Sequence, residues 1–228
     1  MYEDVFDEKK QIAMRHYFLN ELSDRGVIRH YKKKQTIDCE LARSSFGIVV
    51  RGKVAKSILS FQGCERLLYT MRPGEIFGEM NLFCGGGLNF LIRAKEDAEV
   101  SYIGKEVLQA AIEQNPQVYP CIINSITRKY RIILLQLTNN TFNDSTGRIA
   151  DALIRLSACS DTLETGQDPR MISTLFTQGE LAHNVGCSRI TVTRVLKKFM
   201  AENLIGMKNK KIVINDMEAL AAYTDRVQ

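Results

Sequence analysis

The spacing of apolar residues changes character once along this 228-residue chain, and that change divides it. From Gly47 to about Ile103, apolar residues come in short period-two patches broken by glycine, as in "FGIVVRGKV", "KSILSF", "RLLYTM", "LNFLIRA" and "AEVSYI". Such alternation turns one face of a strand inward and the other outward, while "QGCE" and "RPGEIFG" supply turns. No helical segments alternate with these strands, so a Rossmann half is excluded and an antiparallel roll or barrel is expected. After Pro120 the period lengthens: Ile123, Ile126, Tyr130, Ile133, Leu137 and Asn140 fall at steps of three and four residues. That is a heptad seam on a helix from roughly Val118 to Thr141. Burial inside one chain produces the same stripe, but on a lone helix of this length it suits a two-helix dimer interface, where Asn140 could fix the register.

A second boundary follows. Asn143-Asp144-Ser145-Thr146-Gly147 combines turn and cap residues, and "RIADALIRLSAC" opens a new amphipathic helix. "SDTLETGQDPRM", Ser160 to Met171, reads as a polar loop or short hairpin before "ISTLF".

The strongest local signal is "TQGELAHNVGCSRITVTRVLKKFMAENLI", Thr177 to Ile205. Thr177 with Glu180 forms a capping box for a first helix, and Ser188 caps a second. Ala182, Gly186 and Val192 stand where two helices crossing at a tight turn need a small residue, a φ-tolerant one and a buried β-branched one. Leu181, Val185, Val192, Val195, Leu196 and Phe199 supply the core between them. The second helix then presents Arg189, Ile190, Thr191, Thr193, Arg194 and Lys197 along its first turns, as a recognition helix does to base edges. "GMKNKKIVIND", Gly206 to Asp216, follows as a hairpin with Lys208, Lys210 and Lys211 near its tip, suited to phosphates.

Charge agrees with that placement. Residues 187–211 hold seven Lys/Arg against one Asp/Glu, whereas the rest of the chain holds 24 basic and 25 acidic residues. A local excess in an otherwise neutral protein is the electrostatic footprint of a nucleic-acid contact. The six cysteines have no metal-binding spacing and only three histidines accompany them, so free thiols are expected and no metal site. The uncharged run from Met80 to Ile92 contains three glycines and is too short to cross a bilayer; the acidic start lacks the pattern of a secretory signal, which places the chain in the cytoplasm. No spacing joins a nucleophile to a base and an orienting group, and no P-loop Lys-Ser/Thr follows the glycines, so no catalytic residue and no enzyme activity are expected.

Taken together, "RPGEIFGEMNLF" with "RAKEDAEV", "STGRIADAL" and "GCSRITVTRVLKKF" resemble the effector cassette, hinge and recognition helix of the Crp/Fnr family of bacterial transcription regulators. The resemblance implies an α+β chain. Its parts would be an N-terminal antiparallel β-roll (a double-stranded β-helix, cupin-like) over residues 1–117, a long dimerisation helix and hinge over 118–145, and a C-terminal winged helix-turn-helix over 146–228. It further implies a homodimer, a palindromic double-stranded DNA site contacted by Thr177, Ser188, Arg189, Ile190, Thr191, Thr193, Arg194, Lys197 and Lys210, and RNA polymerase as a further partner.

The departures from the family pattern concern the effector. In cyclic-AMP-binding members an Arg-Ser pair holds the cyclic phosphate; here those positions fall on Leu88 and Asn89. The polar pair of the long helix that meets adenine falls on Ile133 and Leu134. Gly78 and Glu79 persist, but a lone Glu79 would repel a cyclic phosphate. Neither the cysteine cluster of the oxygen-sensing branch nor the haem ligands of the carbon-monoxide-sensing branch is present, so no cofactor is expected beyond a small effector of unknown identity. A pocket of Leu88, Phe90, Ile133 and Leu134 beside Asn89, Lys129 and Tyr130 would suit a small, partly apolar anion. It is loosely similar to the halogenated-phenol-sensing branch, in which an asparagine and a lysine at the places of Asn89 and Lys129 touch the ligand. Equally, these are core and surface residues of a sensor without a ligand, with Lys129 on the flank of the seam. Cyclic-nucleotide control, and a ligand-sensing subunit that never binds DNA, are the competing expectations. At the recognition helix, Ile190 replaces a glutamate that would accept from cytosine, which predicts a site richer in A·T.

Overall fold

The computed structural model describes residues 7–37, 45–85, 90–158, 172, 177–208 and 211–225. The chain divides into two compact units inside one long helix, between Ile132 and Ile133.

The first unit, Glu8–Ile132, begins with helix α1 (Glu8–Tyr17) and continues, among the described residues, in seven strands: β1 (Val27–Tyr31), β2 (Ser45–Arg51), β3 (Val54–Leu59), β4 (Glu65–Met71), β5 (Ile76–Phe77), β6 (Phe90–Ala94) and β7 (Ala98–Gly104). They form a four-stranded sheet ordered β1-β7-β2-β5 and a three-stranded sheet ordered β4-β3-β6, antiparallel at every pairing. The strand content and the antiparallel pairing agree with the period-two patches. Among the described residues the additions are β1, whose Val27 and Ile28 remain exposed and so show no alternation, the α-helices α1, α2 (Glu79–Cys84) and α3 (Lys105–Gln114), and the π and 3-10 turns Phe18–Leu22 and Ser23–Arg25 that follow α1. Phe18, Phe46, Ile48, Ile76 and Ile103 form a fully buried core shared by sheet and helices, with Val118 and Ile122 of the long helix joining it.

The long helix α4 runs Val118–Phe142. Its buried positions are Val118, Ile122, Ser125, Lys129, Ile132, Gln136 and Asn139, a regular alternation of four- and three-residue steps in which four of the seven are polar or charged. The apolar seam read from the sequence lies on another face: Ile123, Tyr130 and Leu137 are each about 60% exposed, and Ile126 and Ile133 each 40%. Asn140 donates its amide to the carbonyl of Gln136 at 2.6 Å, within its own helix. No helix among the described residues is long and apolar enough to cross a membrane.

The second unit, Ile133–Gln228, holds α5 (Ser145–Ala158), α6 (Gln178–Val185), α7 (Arg189–Ala201), the antiparallel hairpin β8 (Ile205–Lys208) and β9 (Lys211–Ile214), and α8 (Met217–Ala221). Ile149, Leu153, Leu181, Val185, Val192, Val195, Leu196, Phe199, Ile214 and Leu220 close its core. The segment expected as a polar loop or hairpin, Ser160 to Met171, lies outside the described residues.

Candidate DNA interface and effector site

The DNA-facing geometry is set by local chemistry. The hydroxyl of Thr177 accepts from the Glu180 amide at 3.1 Å, and the Glu180 carboxylate accepts from the Thr177 amide at 2.9 Å, which completes the capping box of α6. A neutral cap of this kind stabilises a helix by about 1 kcal/mol. Gly186 ends α6 in the left-handed region at φ 65°, a conformation that costs glycine little. Ser188 then caps α7 by accepting from the Thr191 amide at 3.0 Å, and its hydroxyl lies 2.8 Å from that of Thr191. Thr193 donates to Gln178 at 2.6 Å, which ties the first turns of α7 to the start of α6.

These bonds hold one face of α7 outward. Arg189, Arg194 and Lys197 are exposed and Ile190 is 82% exposed, while Leu181, Val185, Val192, Val195, Leu196 and Phe199 are buried beneath them. Thr191 and Thr193 are half-buried, their hydroxyls engaged in the bonds just described. The hairpin β8–β9 lies at the expected place with Lys208 and Lys211 at facing ends of its strands; Lys210 lies outside the described residues.

The sensor side is organised around Glu79. Gly78, in the left-handed region at φ 92°, turns the chain into α2 so that Glu79 points inward, 4% exposed. Lys129 of α4, itself buried, donates to Glu79 Oε1 at 2.7 Å and to the Ile76 carbonyl at 2.7 Å. Lys129 is therefore not on the seam's flank; it is committed to an ion pair inside the first unit. A neighbouring pair, Arg128 with Glu75 at 2.6 Å, and a bond from Gln11 to Asn124 at 2.6 Å hold the same stretch of α4.

A second buried cation, Lys56, completes the cluster. It sits on β3, directly across from Tyr69 on β4, while Phe90 on β6 pairs with Ile58, two residues along. On a pleated sheet both neighbours reach the same face. Lys56 Nζ lies 3.9 Å from the centre of the Phe90 ring and 6.0 Å from that of Tyr69, whose ring also lies 5.9 Å from Lys129 Nζ. Burial would raise the Glu79 carboxyl; the charges of Lys129 and Lys56 outweigh it and hold it below its ordinary value. Burial lowers Lys56 to about 8, and Glu79 opposes that shift. Burial also pushes the Tyr69 phenol far up, reinforced by Glu79 and Glu75, so Tyr69 stays neutral.

Of the effector residues expected from the sequence, Glu79, Phe90 and Lys129 meet at this cluster, with Gly78 at its turn. Leu88 and Asn89 lie outside the described residues. Tyr130 is 61% exposed beside the buried Lys129, and Ile133 and Leu134, 40% and 41% exposed, belong to the other unit. The expectation of a lone, repelling Glu79 is overturned by the two lysines. Lys56 and Tyr69 were not anticipated; the one sequence trace they left is a lysine inside the short apolar strand segment Val54–Leu59, which the structure shows buried as far as Ser57.

Comparison with known proteins decides the family. Residues 147–223 match the Crp-like helix-turn-helix domain, and residues 28–115 match the cyclic nucleotide-binding domain. The cAMP-activated global transcriptional regulator CRP of Salmonella typhimurium is 33% identical over 190 residues, covering 82% of this chain and 89% of that protein. The chain belongs to the Crp/Fnr family. Among solved structures, the Crp/Fnr fold recurs in CprK complexed with OCPA, with TM-score 0.71 at 20% identity over 90% of this chain and 93% of that one. It recurs also in the c-di-GMP responsive regulator CLP of Xanthomonas campestris, with TM-score 0.70 at 24% identity over 89% and 98%. This Crp/Fnr chain is accordingly a DNA-binding transcription regulator with a cyclic nucleotide-binding-like domain, and its relatives are regulators, not enzymes.

Proposed function

We propose that this Crp/Fnr chain is a homodimeric, sequence-specific regulator whose grip on palindromic DNA is gated by a small effector held in the β-roll. The observation that carries it is the exposed face of α7: Arg189, Ile190, Arg194 and Lys197 point outward from a helix fixed by two caps, a left-handed turn and a closed core. Arginine at such a place can pair bidentately with guanine and isoleucine can meet a thymine methyl, each arginine pair giving about 1–3 kcal/mol of discrimination. Dimerisation is supported by α4, where an apolar stripe is exposed and the buried stripe is largely polar, the inverse of what a solitary helix would favour.

The effector is a small molecule other than cyclic AMP, because Leu88 and Asn89 stand where cyclic-AMP-binding members carry the phosphate-holding pair. A second reading, cyclic-nucleotide control, draws support from the cAMP-activated name of the 33%-identical relative. Calorimetry with cyclic AMP and cyclic GMP separates the two, since micromolar binding of either would favour the second. Dimeric mass with retention on duplex DNA that falls steeply with salt supports the regulator reading; a monomer indifferent to DNA would contradict it.

A further inference from the structure

Within the second unit, the tail that follows α8 returns to the turn between α4 and α5. Asn143 Oδ1, in that turn, accepts from the Asp225 amide at 2.7 Å, and Asn143 Nδ2 donates to the Asp225 carbonyl at 3.0 Å, although 82 residues separate the two. The tail passes α5 so closely that a Cβ at Gly147 would lie 2.7 Å from the Tyr223 carbonyl oxygen and 2.6 Å from Asn143 Oδ1. Bonds from the Tyr223 amide to the Leu220 carbonyl at 3.3 Å and from the Thr224 amide to the Ala221 carbonyl at 2.9 Å hold the tail in a fixed turn. Two residues before Asp225, the tail also grips the recognition helix. Tyr223 donates its hydroxyl to Glu202 Oε2 at 2.8 Å, its ring centre lies 5.2 Å from that of Phe199, and Lys198 Nζ lies 4.5 Å from the same ring. Lys198 and Phe199 belong to the last turn of α7, Glu202 caps its end, and Phe199 is fully buried in the core. Each contact is individually weak. Together they make one continuous path of bonded and packed groups from the end of α4 to α7, the kind of path that can carry coupling.

We propose that the tail is a strap that sets the tilt of α7 from the turn between α4 and α5, with Asn143 and Tyr223 as positioning residues for DNA reading. The proposal rests on the reading of α7 as the helix that contacts DNA, and it names what aims that helix. Neither residue has to touch DNA, because Arg189, Ile190 and Arg194 lie in the first two turns of α7 and Tyr223 holds the last. A tilt of about 5° at the last turn of α7 moves its first turn, about 20 Å away, by about 2 Å. That exceeds what a hydrogen bond from an arginine to a base edge tolerates. Contacts with phosphates through long lysine and arginine side chains survive such a shift better, so a loosened strap costs sequence discrimination before it costs non-specific binding.

The test uses the full chain with Asn143→Ala, Tyr223→Ala, the double variant, and Tyr223→Phe as the conservative change. Two quantities are read: amide hydrogen exchange along α7 in the free protein, and the ratio of affinities for a duplex selected by the wild type and a random duplex of equal length at one salt concentration. Asn143→Ala and Tyr223→Ala should each speed exchange in the last turns of α7 and lower the ratio at least fivefold. The double variant should lose no more than the worse single one, since both residues act on one strap. Tyr223→Phe keeps the ring against Phe199 and Lys198 and should keep most of the ratio. Asn143 lies in a turn outside the core, so its variant decides by itself if Tyr223→Ala does not fold. A ratio within twofold of wild type in Asn143→Ala, as from a tail that only adds stability, or losses that multiply in the double variant, would overturn the proposal. If selection with the wild type enriches no duplex, the reading of α7 fails, and the strap then stands or falls on whether Asn143→Ala speeds exchange in α7.

Discussion

The two units were built by different kinds of information. In the DNA-reading unit the caps and the turn that aim the recognition helix lie within a few residues of their partners: Thr177 with Glu180, Ser188 with Thr191, Gly186 between the helices. In the sensor, Lys56, Tyr69, Glu79, Phe90 and Lys129 come from five elements and meet only through strand register and the passage of α4. Local chemistry makes the first tolerant, because each cap is one small contribution among many. The second concentrates buried charge, so the loss of a single partner strands another without solvent.

The largest effect should therefore arise at Glu79. Replacing it with alanine leaves Lys129 and Lys56 facing each other without a carboxylate, and truncation of a buried charge pair costs about 3–5 kcal/mol. Denaturant unfolding should show the first unit's transition falling by that order while the second unit's holds; a shift below about 1 kcal/mol would break the contrast between the units. The matching change in the reading unit, Thr177→Ala, removes one half of the capping box and should cost about 1 kcal/mol. A loss as large as that at Glu79 would show that the second unit is no more tolerant than the first.

A smaller effect sharpens the picture of Lys56. Its folded value of about 8 lies below the ordinary 10.5 of an exposed lysine, so between those values the unfolded chain binds more protons than the folded one. Stability then rises with pH through that window. Tyr69 and Cys121, both raised by burial, pull the other way at the alkaline end, so the difference between wild type and Lys56→Met isolates the lysine. From pH 7 to pH 9.5 the wild type should gain stability relative to Lys56→Met in thermal melts. Parallel curves would mean that Lys56 is not buried as a cation.

The same contrast explains what could be read before any fold was known. Caps, turn and core of the reading unit follow i, i+3 and i, i+4 rules, and they fell where expected, as did the long helix, read as Val118 to Thr141 and observed as Val118–Phe142. Strand β1 escaped because its exposed Val27 and Ile28 break the alternation that marks a half-buried strand. The ion pair of Lys129 escaped because its partner lies fifty residues away. Lys56 left only a weak trace, since an isolated lysine in a strand is ordinarily solvated and only the pairing with Tyr69 and the position of Phe90 show that it is enclosed.

The central claim is that the exposed face of α7 reads DNA sequence. Selection from random duplexes with the full chain, followed by affinity measurement for Arg189→Ala and Arg194→Ala on the enriched site, tests it directly. The expected result is an enriched two-fold symmetric site, richer in A·T where Ile190 lies, with each arginine variant weakened by about five- to 150-fold, the equivalent of about 1–3 kcal/mol. Variants that bind the enriched site as tightly as the wild type, or a selection that enriches nothing, would contradict it.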